Sequence, residues 1–355
     1  MKQHSNVIYA IAASLLFGLS TPFSKILLGE VNSFMLAGLL YFGSGAGLLI
    51  YMAVRSAIAA KNIEKEANLS APDYKWLAGV TFFGGFLGPV LLLYGLNNST
   101  ASAASLLLNM EGVFTALMAW FVFNENFDRR IAAGMAAITL GGVALSWGGT
   151  PDMAGLLGPV SIMLACFCWA IDNNLTKKIS AADPFQIASI KGLIAGGTNL
   201  LISFFVLKIG FPGMTAIISS CAIGFLGYGL SIALFVLSLR HIGTSRTGAY
   251  FSLAPFFGAA ASIAIFGEPV TLSFFIALIL MGIGVWCHLS ESHDHEHFHE
   301  FIEHEHAHSH DDLHHDHVHE AECAADGKHS HRHTHKEKEH SHFHYPDLHH
   351  HHGHV

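Results

Sequence analysis

Apolar runs, each close to the roughly 20 residues an α-helix needs to cross a bilayer, follow one another through the first 288 residues with only short polar breaks. Hydrocarbon offers no partner to a free backbone N–H or C=O. A chain threaded through it repeatedly must therefore close its hydrogen bonds within helices or around a closed barrel. Barrel strands alternate apolar and polar residues, and these runs do not. The expected fold class is an all-α polytopic membrane protein. Its ten transmembrane helices are expected at 6–27, 32–54, 74–95, 100–122, 130–148, 155–177, 184–206, 214–238, 244–266 and 270–289. Composition agrees, with 52% hydrophobic and 12% charged residues, where soluble domains carry about 25% charged residues.

The polar start MKQHSN is brief, and helix 1 has no small-residue cleavage site before a soluble domain, so it is expected to be retained as a span. Lysine and arginine favour cytoplasmic loops. Placing the N-terminus inside puts Lys2, Arg55, Lys61, Lys65, Lys75, Arg129, Arg130, Lys177, Lys178, Arg240 and Arg246 in the cytoplasm and only Lys25 and Lys208 outside. Ten spans then return the C-terminus to the cytoplasm, so the expected location is the cell (inner) membrane, multi-pass, with both ends inside. Four of the five cysteines lie in apolar runs and none forms a CxxC, which disfavours a disulfide framework or thiolate site.

The chain also echoes itself. FGLSTPFSK (17–25) and WAIDNNLTK (169–177) each close a first helix with an aromatic start and a Ser/Thr-Lys end. FVFNENF (121–127) and AIFGEPV (264–270) share Phe123/Phe266 and Glu125/Glu268 just beyond helices 4 and 9. Five spans per copy, an odd number, would set the copies in opposite membrane orientations, an architecture common in secondary transporters.

On these motifs, the aromatic-Gly/Ala-x5-Ser/Thr-Lys stretch in helices 1 and 6 and the Glu after helices 4 and 9, residues 6–288 resemble the EamA-type drug/metabolite transporters. Gly112 stands where the pattern has a proline in helix 4, whereas helix 9 keeps Pro255, and Asn124 replaces the Gly before the first Glu. The resemblance implies a first five-helix repeat at 1–148, a second at 149–289, and secondary transport of a small solute. It does not cover 290–355.

A charge at the bilayer centre costs about 2.5–3.5 kcal/mol on insertion scales, so each one inside a span needs a reason. Asp172 lies nine residues before Ala181 in the turn joining helices 6 and 7, and Lys191 lies ten after it. At a rise of about 1.5 Å per residue they reach the same depth on adjacent antiparallel helices, and an ion pair is expected, either structural or part of a substrate or gating device. Glu111, in the middle of helix 4, has no obvious partner at its depth. It is the first candidate for proton coupling, because apolar surroundings help a carboxyl keep its proton; the alternative is a neutral acid hydrogen-bonded to Asn109 or a facing hydroxyl. Asn173 and Asn174 follow on successive helix faces, so at least one points into the bundle. Trp169 and Phe17 are candidate aromatic walls for an organic solute, or packing residues. Lys25 breaks the charge bias of the loops, either by snorkelling or by meeting an anionic solute.

After His288 the texture changes. Of 27 histidines, 24 lie beyond Leu289. A segment this poor in apolar side chains is expected to be disordered, because burial cannot offset chain entropy. Its HxH spacing, at His293, His295, His297, His299, His304, His306, His308, His310, His314, His315, His317 and His319, suits Zn, Ni, Cu or Co. The alternatives for this tail are a pH-responsive polyelectrolyte or a tag, the latter disfavoured by its interspersed acids and its HHHHGHV end.

Two functions stay open: a transporter of a small organic metabolite with a metal-binding cytoplasmic tail, and a transition-metal (Ni, Zn, Co) transporter whose tail collects or delivers the ion. The expected partners are the lipid bilayer, a small-molecule solute and divalent metal ions, with a homodimer left open. No cofactor for transport, no catalytic domain and no nucleic-acid signature is expected, since the long polar segment is acidic.

Overall fold

The computed structural model describes residues 2–58, 69–123, 129–146, 153–179, 182–242, 250–289, 293–299, 302–308, 329–335 and 338–344. Up to residue 289 the described elements are all helical: α1 (Lys2–Leu27), α2 (Ser33–Ile58), α3 (Asp73–Val80), α4 (Gly88–Asn97), α5 (Ala101–Leu107), α6 (Met110–Phe123), α7 (Arg129–Ser146), α8 (Met153–Thr176), α9 (Pro184–Leu201), α10 (Met214–Gly224), α11 (Ser231–Ile242), α12 (Ala254–Phe266) and α13 (Leu272–Leu289).

Several of these are pieces of one rod. The π-helical segment Thr81–Leu87 joins α3 to α4, and Phe225–Leu230 joins α10 to α11. Among the described residues seven stretches are long and apolar enough to cross a bilayer: Val7–Leu27, Ser33–Ala57, Asp73–Asn97, Ala101–Val122, Gly155–Thr176, Pro184–Val206 and Met214–Phe235. Three shorter apolar helices, Ala132–Leu145, Ala254–Phe266 and Leu272–Cys287, stand at the other three expected places. The second of these is short because its run is interrupted: Tyr250 and Phe251 are helical, Ser252 and Leu253 form a turn, and α12 starts beyond them. Pro255 explains that interruption, since it has no N–H to give to the preceding turn.

A similar interruption separates α5 from α6 at Leu108 and Asn109. There Leu108 N–H bonds to Ser105 O at 3.2 Å and Asn109 N–H to Leu106 O at 3.1 Å, a tightened i→i−3 pattern. No proline is present. Instead the Asn109 side chain donates to Leu106 O at 3.0 Å, taking up a carbonyl where the ladder is broken.

Small residues set the spacing. α2 and α9 pack so closely that a Cβ on Gly192 would strike the backbone of Gly45 and Tyr41, so glycine is required there. The core runs through the middle of the bundle on Met35, Leu36, Leu40, Leu93, Leu106 and Ile162, all buried, while large apolar side chains such as Phe205, Met214 and Trp286 face outward, as a lipid-embedded surface demands.

Beyond the bundle the described backbone forms two paired ladders. β1 (His293–His299) pairs antiparallel with β4 (Lys338–His344), and β2 (Ile302–His308) with β3 (His329–His335). The alternation of histidine with other residues has the two-residue period of a strand. His310, His314, His315, His317, His319 and Glu125 lie outside the described residues.

Candidate functional site

The site begins with a carbonyl that its own helix cannot use. In the π-helical segment the Gly88 N–H bonds back to Phe83 O, five residues away. The donor that would serve Gly84 O in that register belongs to residue 89, which is proline and has none. Tyr41 Oη and Trp169 Nε1 fill the gap, donating to Gly84 O at 2.8 and 3.1 Å. One backbone oxygen thus fixes two buried aromatic side chains, from α2 and α8, at the centre of the bundle.

Phe17 of α1 completes the aromatic group. Its ring meets Trp169 edge-on with centroids 6.4 Å apart, Tyr228 at 5.8 Å, and Phe251 at 5.4 Å; Tyr41 and Tyr228 lie 5.5 Å apart. Phe17 and Phe251 remain partly exposed, whereas Trp169, Tyr41 and Tyr228 are buried.

The charged residues sit beside these rings. Lys191 Nζ of α9 donates to Asp172 Oδ2 of α8, forming a salt bridge. Gly84 makes room for it, since a Cβ there would fall on the Asp172 carboxylate. Thr176 Oγ1 donates to the other carboxylate oxygen at 3.3 Å.

Glu111 has a partner that its own segment does not reveal. Asn173 Nδ2, one turn beyond Trp169 on α8, donates to Glu111 Oε1 at 2.8 Å and lies 3.5 Å from Thr115 Oγ1. Asn109, the partner considered from sequence, is turned to Leu106 O instead. Asn174 points elsewhere from Asn173: its amide donates to Ala170 O at 2.8 Å and Thr115 O at 3.4 Å, and its buried Oδ1 has no hydrogen-bond partner. Asn173 and Gly112 are exposed, and a Cβ on Gly112 would meet nothing within 4 Å. The Glu111–Asn173 contact therefore lies at the edge of the packed bundle.

Seven of the eight membrane residues singled out from sequence, Phe17, Glu111, Trp169, Asp172, Asn173, Asn174 and Lys191, thus fall into one neighbourhood. Lys25 does not. Its ammonium donates to Leu96 O, to Ser99 O at 2.8 Å and to Asn97 O at 3.3 Å, carbonyls at and just beyond the end of α4. A cation at a helix C-terminus meets the negative end of the helix dipole there. The ammonium is thus engaged by backbone oxygens, a contact its own segment does not reveal.

Just beyond those carbonyls, the Glu268 carboxylate accepts from the N–H groups of Ala101 at 2.7 Å and Ser102 at 2.8 Å, while Thr100 Oγ1 accepts from Ala103 N–H at 3.3 Å. The α4–α5 joint is therefore clasped by a lysine on its carbonyls and a glutamate on its amides. Sequence reading marked Glu268 as a motif residue without finding this partner, and missed Tyr41, Gly84, Tyr228 and Phe251. The GGFLGP stretch, a proline one turn after paired glycines, was the available signal for the free carbonyl. No group of three His, Cys, Asp or Glu placed to hold a metal occurs among the described residues.

Membrane-crossing helices that hold an ion pair, a carboxyl and an aromatic cluster at depth fit one class, multi-pass membrane transporters of small solutes, and the comparisons with known proteins agree. The model of the EamA-like transporter family matches residues 4–147 and again 156–290. The chain belongs to that family. It is similar to a protein of Methanothermobacter thermautotrophicus described as an uncharacterized transporter, with 30% identity over 81% of this chain and 86% of the relative. It also resembles a protein of Salmonella typhimurium described as a probable amino-acid metabolite efflux pump, with 26% identity over 53% of this chain and 67% of the relative. A crystal structure sharing 17% identity superposes with a TM-score of 0.58, covering 80% of this chain and 95% of that one, and shows the fold alone.

Proposed function

We propose that the protein is a secondary active transporter of a small organic metabolite, built from two oppositely oriented five-span halves that rock about the polar–aromatic cluster. The observation that carries this reading is the cluster itself: Phe17 and Trp169, corresponding residues of the first helix of each half, meet across the bundle beside Glu111 and the Asp172–Lys191 pair. The matching interruptions before α6 and α12, and the π-helical segments after α3 and α10, support a repeated unit. The duplicate match to one family model supports it further. The membrane location with both termini cytoplasmic belongs to the same reading and rests on the loop charges.

Within it, Glu111 carries the coupling proton, since Asn173 holds its carboxyl by a neutral amide without supplying a compensating charge. The histidine tail binds Zn, Ni, Cu or Co through closely spaced imidazoles and modulates transport from the cytoplasm.

The test is flux into and out of vesicles, comparing the full chain with one ending at Leu289 across amino acids, related amines and divalent metals. Metabolite flux that survives truncation but loses its response to metal is expected. Metal flux that disappears with the tail would instead establish the ion as cargo. A Glu111→Gln variant with unchanged pH dependence would remove the coupling role.

A further inference from the structure

We infer that the cluster recognises the protonated amine of an organic monocation, with Glu111 as its counter-charge and the Phe17 ring as part of its wall. The inference rests on the transporter reading above and names the class of solute.

The charge balance leads to it. Among the described residues three charged side chains, Glu111, Asp172 and Lys191, lie at depth in the bundle, and the last two cancel in a direct salt bridge. Glu111 has a neutral hydrogen-bond partner, the Asn173 amide, and the nearby Asp172 and Lys191 charges act on it in opposite senses. Once Glu111 has released its proton, its carboxylate in surroundings of low polarity favours a cation near it. Among the described residues its hydrogen-bond partner is the Asn173 amide and not a lysine or arginine. The missing positive charge matches one ammonium group.

The rings specify what else such a solute carries. Five aromatic side chains, Phe17, Tyr41, Trp169, Tyr228 and Phe251, form a connected group, and Asn173, which touches Glu111, lies one turn from Trp169 on α8. Aromatic faces attract ammonium groups and offer apolar contact to an attached hydrocarbon. Tyr41 and Trp169 are held in place by Gly84 O, so their positions are set before a solute arrives. Phe17 and Phe251, partly exposed, are the rings a solute reaches.

A zwitterion fits less well. Its carboxylate would need a second cation, and Lys191 is already committed to Asp172. Phenethylamine and phenylalanine share a ring and an amine and differ in that carboxylate, so they separate the two cases.

Binding of each to the purified full-length protein is measured by titration calorimetry, and movement of each across proteoliposomes is followed in parallel. Phenethylamine is expected to bind at least about 10-fold more tightly than phenylalanine, and Glu111→Gln to weaken it about 10-fold or more, the loss of one charge-assisted contact. Phe17→Leu, which stays apolar and removes the ring, is expected to weaken it about 3-fold. Phe17→Leu carries the test should Glu111→Gln not fold. Phenylalanine binding as tightly as phenethylamine overturns the inference, as does phenethylamine binding that is indifferent to both Glu111→Gln and Phe17→Leu. Phenylalanine transport without phenethylamine binding or transport removes the amine assignment and leaves the transporter reading standing. Failure of every solute in the metabolite panel to cross removes both.

Discussion

The helices before α6 and before α12 are interrupted at corresponding places by different means. In the second half Pro255 withholds an N–H; in the first, Gly112 stands in its place and Asn109 donates to Leu106 O. A parallel holds for the glycines of the π-helical segments. A Cβ on Gly84 would fall on Asp172, and one on Gly227 would meet Ser20, the residue that corresponds to Asp172 when FGLSTPFSK and WAIDNNLTK are aligned. The same niche holds a charged carboxylate in one half and a hydroxyl in the other. These two backbone irregularities are shared and the Asp172 charge is not, so a repeated scaffold carries an asymmetric site.

That contrast can be broken experimentally, beginning with the largest effect. Asp172→Asn or Lys191→Met leaves a buried charge unpaired and is expected to lower stability by about 3–5 kcal/mol. The double variant should recover part of this loss in a detergent unfolding titration. Ser20→Ala, at the matching place in the first half, should cost far less. Equal losses at both places would end the claim of asymmetry.

Next comes the clasp on the α4–α5 joint. Glu268→Ala removes two hydrogen bonds to a charged acceptor and should cost about 1.5–3 kcal/mol. An unchanged melting temperature would show that the α5 amides find other partners.

Gly84→Ala should destabilise by about 1–3 kcal/mol through overpacking against Asp172, and combining it with Asp172→Ala should relieve most of that. If Gly227→Ala costs as much as Gly84→Ala, the niche does not discriminate carboxylate from hydroxyl.

The smallest effect belongs to Gly112→Ala. Its Cβ meets nothing, so the gain in helix propensity, at most about 1 kcal/mol, is the only stability change expected. A fall in solute flux without loss of stability would place Gly112 on the solute route.

Much of the bundle was legible in advance. The runs from 6 to 289 locate every described helix, because the cost of leaving an apolar side chain in water, or a charged one in lipid, depends on that residue and its close neighbours. The depth match of Asp172 and Lys191 was legible for a related reason: a short turn between two helices constrains their offset. Glu111 was visible as an anomaly but its partner was not, since Asn173 lies 62 residues away. Lys25 was seen as an exception to the loop charge pattern, yet its carbonyls on α4 were not foreseen.

Hydropathy, short motifs and loop charge by themselves determined that this chain is a helical, multi-pass membrane protein with a few polar residues held at depth. Only the tertiary structure decided which of them meet: Tyr41 and Trp169 on Gly84 O, Asn173 on Glu111, and Glu268 on the amides of Ala101 and Ser102, 167 and 166 residues distant. Such contacts depend on how each helix is rotated and how closely it approaches its neighbours. Rotation and approach are fixed by the packing of many side chains and glycines at once, which no single stretch of sequence contains.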